Sequence, residues 1–564
     1  MRGAAGLLLA LAFGGSTPAQ CAASYVVGGV VVDSRSHAPL GNMRILLAPS
    51  SARDRKAERV TKQDGRFAFP VSEPGKYLLS ITKPGYPLQF YKQTSLSGAT
   101  TAVVVNESQD ASHLVFEAKR GGVIFGVVKD EDGEPVRNAR VTLFQSAVLS
   151  GSRRMIPRGQ TRSNAAGEFR FPNLLRGSYY VLATGSAWFA DSISGLEEAQ
   201  QFAQSRLEVL AEQGREANGP PPKFSPDPAF RGAALQPMYY GNARSVEQAS
   251  IIRLETGSEV QASIILPFTR AVALKGTLSV PDEASEGRVV LFNRVGDQFA
   301  VFMDTWVAKD KKFQFVNVPP GSYIIVAVSS AASATSGWGL DDEVEVGAVD
   351  AEVMLRPQQT GSLAGRVLFE GERPAPEASL FVTVHGEKTD FRYRAEVNPE
   401  GSYSLNRLQP DRYEVTAGDM GYIAAYLTGP SGERLPLTLS VSSGEALHRD
   451  LTLTRAASAI EGTVEKAGVP QIAAFVLLMP KDSSRQWAYR IDQTDSDGSY
   501  RLATIPSGDY FLIALGESED VAYRDSKVAT RLRQAAQTVH LEPGDHLTLK
   551  LDVVSAAALN LSSL

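Results

Sequence analysis

The chain has 564 residues, of which 43% are hydrophobic and 21% are charged. That length exceeds what one hydrophobic core supports and predicts about four or five domains. Lys and Arg number 57 and Asp and Glu number 62, so the formal net charge is -5. The chain therefore lacks the basic excess that attracts nucleic acid or an anionic membrane, and neither is expected as a partner.

Residues 1–23 are predicted to be a secretory signal peptide. Arg2 supplies a positive start, and residues 4–13 form an apolar run that is too short to span a bilayer. We therefore expect an exported protein, in the periplasm, at the cell surface or outside the cell. Cys21 raises the question of lipid anchoring, but Pro18-Ala19-Gln20 departs from the lipoprotein pattern, so anchoring is not expected. No transmembrane segment is expected in the mature chain, because no later stretch is long and apolar enough.

The residues that usually carry enzyme chemistry are sparse. Cys21 is the only cysteine and the six histidines are scattered, so the sequence predicts no disulfide and no zinc site. His540-Leu541-Glu542 places two polar side chains on one face of a predicted strand, and we interpret them as solvent-facing. Nucleophile and phosphate-loop motifs are absent. The chain is therefore expected not to be an enzyme and to have no catalytic residues, metal or cofactor; an enzyme with an unrecognised site is the remote alternative.

One motif recurs five times. Its first copy reads Asp64-Gly65-Arg66-Phe67-Ala68-Phe69, followed by Pro74-Gly75-Lys76-Tyr77. Asp-Gly suits a hairpin turn that needs a positive φ, and Phe-x-Phe places two rings on one face of a strand. The closing tyrosine is expected to bury its ring and bond its hydroxyl to the backbone of the preceding turn. The five closing tyrosines are Tyr77, Tyr179, Tyr323, Tyr413 and Tyr510.

The third copy departs from this pattern. It has Asp310-Lys311 where the others have a residue followed by glycine. Its turn is therefore expected to differ or to be strained.

Each copy also has an opening and a closing element. A Gly-x-Val-like strand such as Gly126-Val127-Val128 opens it, and an alternating hairpin around a glycine, such as Gly444, closes it. About seven short strands per ~100 residues predict an antiparallel β-sandwich. The predicted fold class is all-β: a tandem array of about five antiparallel, prealbumin- or Ig-like β-sandwich modules with one helical insertion.

The order Gly-x-Val, Gly-x-Pro-Val, Ala-x-Val, Asp-Gly-x-Phe-x-Phe and Pro-Gly-x-Tyr resembles the carboxypeptidase regulatory-like domain. That family is a transthyretin-like β-sandwich related to the collagen-adhesin B-type repeat, and the resemblance covers nearly all of the mature chain. It implies the fold but no peptidase activity, because the zinc-containing catalytic domain that such modules accompany has no counterpart here. The isopeptide bond of some collagen-adhesin relatives is not expected, because no Leu-x-Glu follows the tyrosines.

The repeats predict the domain boundaries. The five modules are expected at 24–119, 120–268, 269–357, 358–456 and 457–556, with a tail at 557–564. The second module carries an insertion at 190–237. Within it, a helix of about 15–18 residues is predicted from apolar residues at helical spacing, namely Ala199, Ala203, Leu207 and Leu210. That helix is expected either to pack on the second sandwich or to serve as a lid or partner surface.

Aromatic side chains are the candidate ligand contacts, since Trp and Tyr faces can stack on sugar rings. The alternative is that they build cores and domain edges. The candidates are Trp188, Tyr239, Tyr240, Trp306, Trp338, Trp487 and Tyr489. Residues 130–133 and 495–498 partly resemble calcium loops, but each lacks a third Asp and the distal Glu, so we interpret them as hairpin turns.

These patterns predict an exported, non-enzymatic binding or scaffold protein. Carbohydrate is the favoured ligand class, by analogy with binding modules on similar sandwiches. The alternative is a structural spacer or docking partner of a cell-envelope protein complex, with residues 190–237 as the docking surface.

Overall fold

The computed structural model describes most of the chain. The described residues are 25–93, 100–107, 111–185, 233–279, 287–296, 298–307, 310–329, 338–356, 358–370, 380–386, 392–419, 422–455, 458–483, 485–516 and 521–560. The predicted signal peptide and the predicted helix of the insertion lie outside them.

Strand pairing groups the described residues into five modules, each with its own buried core. Module 1 contains β1 (Tyr25–Asp33), β2 (Arg44–Pro49), β3 (Ala57–Val60), β4 (Arg66–Val71), β5 (Gly75–Lys83), β6 (Tyr86–Phe90), β7 (Val103–Val105) and β8 (Leu114–Ala118). Module 2 contains β9 (Gly122–Asp130), β10 (Arg140–Leu149), β11 (Ser152–Arg162), β12 (Glu168–Leu174), β13 (Gly177–Thr184), β14 (Ala233–Leu235), β15 (Met238–Tyr239), β16 (Ile252–Leu254), β17 (Glu259–Gln261) and β18 (Ile264–Leu266). β19 (Phe268–Arg270) pairs with β14 and leads into module 3.

The last three modules repeat the same order. Module 3 contains β20 (Val272–Leu278), β21 (Gly287–Val295), β22 (Gln298–Trp306), β23 (Lys312–Val318), β24 (Gly321–Ser329), β25 (Trp338–Val346), β26 (Ala351–Leu355) and β27 (Gln358–Gln359). Module 4 contains β28 (Gly361–Glu370), β29 (Phe381–Gly386), β30 (Arg392–Glu396), β31 (Ser402–Leu408), β32 (Asp411–Asp419), β33 (Tyr422–Thr428), β34 (Arg434–Leu435), β35 (Thr438–Val441), β36 (Ala446–His448) and β37 (Asp450–Arg455). Module 5 contains β38 (Ser458–Lys466), β39 (Val469–Pro470), β40 (Phe475–Pro480), β41 (Arg490–Gln493), β42 (Ser499–Ile505), β43 (Gly508–Gly516), α1 (Ser526–Ala535), β44 (Gln537–Leu541) and β45 (His546–Ser555).

Two sheets face each other in modules 1 to 3, and in modules 4 and 5 they join along one side. Module 1 shows the pattern, with a three-stranded sheet β4-β1-β8 opposite a sheet β3-β2-β5-β6 to which β7 adds. The all-β prediction is confirmed. The structure adds one feature to it: within each module the first strand pairs in parallel with the last strands, as β1 does with β8 and β38 with β45. A parallel pair requires a crossover connection. The chain makes it by forming the strands of the opposite sheet between the first and the last strand.

The glycine of the Gly-x-Val strand makes this parallel pairing sterically possible. A Cβ on Gly365 would lie 1.8 Å from the carbonyl oxygen of Arg449, and a Cβ on Gly462 would lie 1.9 Å from that of Leu549. In the same two modules a tyrosine hydroxyl donates to that carbonyl, from Tyr403 at 2.7 Å and from Tyr500 at 3.0 Å. In modules 4 and 5 this crossing therefore needs a residue without a side chain.

The closing tyrosine of every copy bonds to the preceding turn, as the sequence predicts. Each ring lies in its module's core, and each hydroxyl donates to the backbone carbonyl four residues upstream. Burial raises the pKa of Tyr179 to about 12, so the hydroxyl stays a donor at any physiological pH. The acceptors and O–O distances are Glu73 at 2.8 Å, Leu175 at 2.6 Å, Pro319 at 2.9 Å, Gln409 at 2.6 Å and Pro506 at 2.7 Å.

The turn of the third copy keeps the backbone conformation of the others without their glycine. Lys311 has φ of 65°, close to the 71° of Gly65 and the 78° of Gly498. A residue with a Cβ in this region costs roughly 1–2 kcal/mol. The expected strain is therefore present, at a position where the chain still closes the same hairpin.

Module 5 has a second layer that the sequence analysis missed. Asp525 caps α1 by accepting from the backbone N–H groups of Lys527 and Val528. The helix buries Val528 and Leu532 on the outer face of β40 and β43. Because cores lie on both faces of this sheet, all six residues of β40 are buried. No helix in the described part of the chain is both long and apolar enough to cross a membrane.

Gly365→Ala is expected to destabilise module 4 by about 3 kcal/mol or more, because the new Cβ meets a backbone atom rather than a movable side chain. Gly347→Ala is the matched control, since a Cβ there has open space. Calorimetry of the full chain should show a lowered melting transition for the first variant only. Equal melting of both variants would contradict the steric argument.

Tyr510→Phe is expected to destabilise module 5 by about 1–2 kcal/mol, because the buried carbonyl of Pro506 loses its donor. Tyr180→Phe, at a partly exposed tyrosine, serves as the control. The thermal midpoint measures both, and a Tyr510→Phe variant that melts like the unmodified protein would show that the hydrogen bond adds nothing.

Candidate binding surfaces

Modules 1, 2 and 5 contact one another, although module 5 is far from the other two in sequence. Between modules 1 and 2, the N–H of Gly85 donates to Asn173 Oδ1 at 3.1 Å. Between modules 2 and 5, the N–H of Arg524 donates to the carbonyl of Gly151 at 2.9 Å, and Gly151 lies against the ring of Tyr523. The repeats predict a tandem order of modules but not their arrangement in space, and in the structure the array folds back on itself.

The contact between modules 1 and 5, which we call the clasp, joins residues 101–104 to residues 493–496. The carboxylate of Asp495 accepts from the Ala102 N–H at 2.8 Å, and the Ser496 N–H donates to the Ala102 carbonyl at 3.0 Å. Thr101 Oγ1 donates to the Thr494 carbonyl at 3.0 Å. All of these atoms pair with the opposite module, so the clasp is specified by hydrogen bonds rather than by an apolar patch.

Charge is also buried in the clasp. Lys76 Nζ donates to Asp495 Oδ2 at 2.5 Å, and the Asp495 side chain is 9% exposed whereas that of Lys76 is 41% exposed. Burial raises the pKa of Asp495, and the Lys76 ammonium acts in the opposite direction. Burial also raises the pKa of the neighbouring Asp492 to about 6, despite backbone donors from Arg501 and Gln493. Both carboxyls therefore cost more to bury as the pH rises.

The two sequences that partly resemble calcium loops form hairpin turns. In one, the Gly498 N–H donates to the Asp495 carbonyl at 2.9 Å, and in the other the Gly133 N–H donates to the Asp130 carbonyl at 3.2 Å. The Asp495 side chain is occupied by the clasp. Among the described residues, no cluster of three or more His, Cys, Asp or Glu side chains has a metal-binding arrangement.

A second interface joins modules 2 and 3, and it is apolar. Phe144 and Tyr239 of module 2 pack against Val295 and Ala300 at the tip of the β21–β22 hairpin. The Tyr239 hydroxyl donates to the Arg294 carbonyl at 3.0 Å. Tyr239, a candidate ligand contact, is thus 2% exposed and lies between modules.

Trp487 and Tyr489 also take part in packing. Trp487 lies in a single 3₁₀ turn, Gln486–Ala488, rather than on a strand, and it contacts the cores of both modules 4 and 5. Tyr489 packs on Tyr523, with ring centroids 5.3 Å apart, and the guanidinium of Arg524 lies 5.3 Å from the Tyr489 centroid. Both residues precede β41, which starts at Arg490.

Trp306 is the candidate that stands out by exposure. It ends β22 and is 67% exposed, and it lies opposite Arg288 on β21. Arg288 is bound to Asp304 by two contacts, at 2.9 and 2.5 Å. Tyr240 is half-buried beside the module 2 core. Trp338 begins β25, but its side chain and all of Trp188 lie outside what the structure describes.

His540 faces solvent, as its alternating sequence suggests. Its Nδ1 lies 3.0 Å from Asp509 Oδ1, and its Nε2 lies 3.0 Å from Glu542 Oε1. Hydrogen bonds to the two carboxylates raise the pKa of His540. Asp509 lies opposite His540 on the neighbouring strand and all three side chains are exposed, so this cluster is a surface feature that contributes little to stability.

The family model of the carboxypeptidase regulatory-like domain matches residues 26–107 and 123–195. The first two modules are therefore similar to carboxypeptidase regulatory-like domains. The two matches cover about a quarter of the chain. Modules 3 to 5 share with these two domains the parallel pairing of first and last strands and the closing tyrosine.

Solved structures of other proteins are similar to the chain at low identity. The Bacillus anthracis TIE protein is 12% identical over 78% of this chain and 76% of its own, with a TM-score of 0.17. A streptococcal ancillary pilin is 10% identical over 60% and 99%, with a TM-score of 0.18. Two B repeat units of the Staphylococcus aureus collagen binding protein are 10% identical over 77% and 99%, with a TM-score of 0.12. The search of curated proteins found no match. At these TM-scores the fold assignment rests on the strand pairing within the modules themselves.

Lys76→Met is expected to weaken the clasp by about 1–2 kcal/mol at pH 7.5, because it leaves the Asp495 carboxylate buried without its partner. The loss should be smaller at pH 5 than at pH 7.5, since the pKa of Asp495 rises further without the ammonium and a larger fraction of the carboxyl is neutral at the lower pH. Thermal midpoints at the two pH values measure the difference, with Lys62→Met, at an exposed lysine, as control. A loss that is the same at both pH values would rule out the ion pair as its cause.

Proposed function

We propose that the protein is an exported, non-enzymatic binding or scaffold protein that binds carbohydrate through module 3. The observation that carries the proposal is the exposure of Trp306. Of the candidate aromatics whose side chains the structure describes, Tyr239, Trp487 and Tyr489 contribute to packing, whereas Trp306 presents most of its indole to solvent.

The surroundings of Trp306 suit a sugar. An indole face accepts the C–H groups of a pyranose ring, and polar groups beside it can bond the hydroxyls. Asp304 is exposed and lies two residues before Trp306 on β22. Arg288 lies opposite Trp306 on the neighbouring strand β21. An aromatic platform flanked by a carboxylate and a guanidinium offers both acceptors and donors.

The alternative function, a spacer or docking partner in the cell envelope, is favoured by a different observation. The contacts among modules 1, 2 and 5 convert the chain of sandwiches into a closed body, which suits a scaffold that holds its surfaces in fixed relation. The predicted docking surface at residues 190–237 lies largely outside the described residues. Export through residues 1–23 remains part of both proposals.

Trp306→Ala is expected to weaken glycan binding at least tenfold and to leave the thermal midpoint unchanged, because the side chain contributes little to the core. A glycan array followed by calorimetric titration of the hits measures the effect. Val349→Ala, at another exposed apolar residue, is the control. An unmodified protein that keeps its β-sheet circular dichroism but binds no glycan would favour the spacer.

A further inference from the structure

The β10–β11 hairpin of module 2 concentrates positive charge in a protein whose net charge is negative. Residues 135–167 contain six arginines and no Lys, Asp or Glu. We call this segment the arginine hairpin. Its arginines are Arg137, Arg140, Arg153, Arg154, Arg158 and Arg162.

The strand pairing places like charges side by side. Arg140 and Arg162 are directly opposite each other on β10 and β11, an arrangement that is destabilising for like charges. Both reach neutral oxygens: Arg140 Nη1 donates to the Val301 carbonyl at 2.6 Å, and Arg162 Nη1 donates to the Asn138 carbonyl and Oδ1 at 3.2 Å each. Asp304 is the acidic side chain that interacts electrostatically with Arg140. Its carboxylate already accepts two hydrogen bonds from Arg288, so it does not neutralise Arg140 fully. An anion bound between Arg140 and Arg162 would relieve their repulsion.

Protection of a sheet edge does not explain the arginines. β11 is the edge strand of its sheet, and natural edges are protected by a proline, a bulge or a lysine. β11 already has Pro157, and a register shift lies beside it. The charges are also all arginine, whose planar fork binds carboxylate and sulfate in a bidentate manner that lysine does not match.

The same features select the kind of partner. A peptide strand that added to β11 would find no N–H at Pro157 and a break in the register next to it. A partner must therefore be recognised by side chains rather than by a backbone ladder. Arg153 and Arg162 pair with Val148 and Arg140, which lie on one face of β10, so these two arginines share that face at a distance of about 27 Å. This spacing suits an extended polymer with repeated negative charges.

The arginine hairpin is continuous with the surface around Trp306. Arg140 contacts β22 at Val301, and Trp306 lies five residues farther along that strand, at a distance of roughly 16 Å. We propose that the arginine hairpin and Trp306 form one binding surface for an acidic polysaccharide, with guanidinium groups on its carboxylates or sulfates and the indole on a sugar ring. This inference rests on the proposed function, because it names the class of carbohydrate.

The test compares polymers that differ in charge: polygalacturonate for carboxylate, dextran sulfate for sulfate, and neutral dextran. Calorimetric titration of the full chain should give at least tenfold tighter binding of one acidic polymer than of dextran, weakening as salt rises. The double variant Arg153→Gln, Arg162→Gln should bind that polymer at least tenfold more weakly. Arg253→Gln, at an exposed arginine on β16, is the matched control and should bind as the unmodified protein does.

The outcomes separate the two proposals. Unchanged binding by the double variant, or equally tight binding of polyglutamate or duplex DNA, would overturn the acidic polysaccharide. Trp306-dependent binding of neutral glycans with no preference for acidic ones would overturn this inference and leave the proposed function standing. Binding of no glycan would end both. If the double variant does not fold, Arg153→Lys with Arg162→Lys keeps the charge, and a loss of at least threefold in affinity is expected from the missing fork.

Discussion

The pairing of the first strand with the last is the constraint on which each module depends. It lets about one hundred residues close around a core of their own. The crossing is so tight that the strand backbones meet at Gly365 and Gly462, and in modules 4 and 5 a tyrosine hydroxyl uses the carbonyl exposed there. The closing tyrosine then fixes the turn that precedes its own strand. Because these contacts are internal, the surface residues of each module are available for other roles.

Those surfaces have been used in different ways. The interface between modules 2 and 3 is built like a small core, from Phe144, Tyr239 and Val295. The clasp between modules 1 and 5 is built from threonine, glutamine and aspartate side chains that bond across it. An apolar interface tolerates sliding more readily than one that must align donors with acceptors. The clasp therefore fixes the relative placement of two modules through geometry rather than through buried area.

The all-β fold was predictable from the sequence because its signals are local. Asp-Gly, Phe-x-Phe and the closing tyrosine each impose a backbone conformation within a few residues, and even Lys311 follows its neighbours into the same turn. The clasp was not predictable in this way. Thr101 and Gln493 are ordinary polar residues in sequence, and only the fold brings them together across 392 positions. Helix α1 left a readable signal in Asp525 and the i, i+4 pair Val528 and Leu532, but its polar composition resembled a loop. Whole-chain net charge likewise concealed the arginine hairpin by averaging it with acidic segments.

The clasp also determines how the molecule would bear tension. It ties the module nearest the start of the chain to the module nearest its end, so nearly four hundred residues lie within the loop it closes. A force applied to the two ends would act on this contact first, and modules 2, 3 and 4 would bear no tension until it broke. The hydrogen bonds of the clasp would then break before any sandwich unfolded, and the molecule would lengthen by the extent of the inner modules.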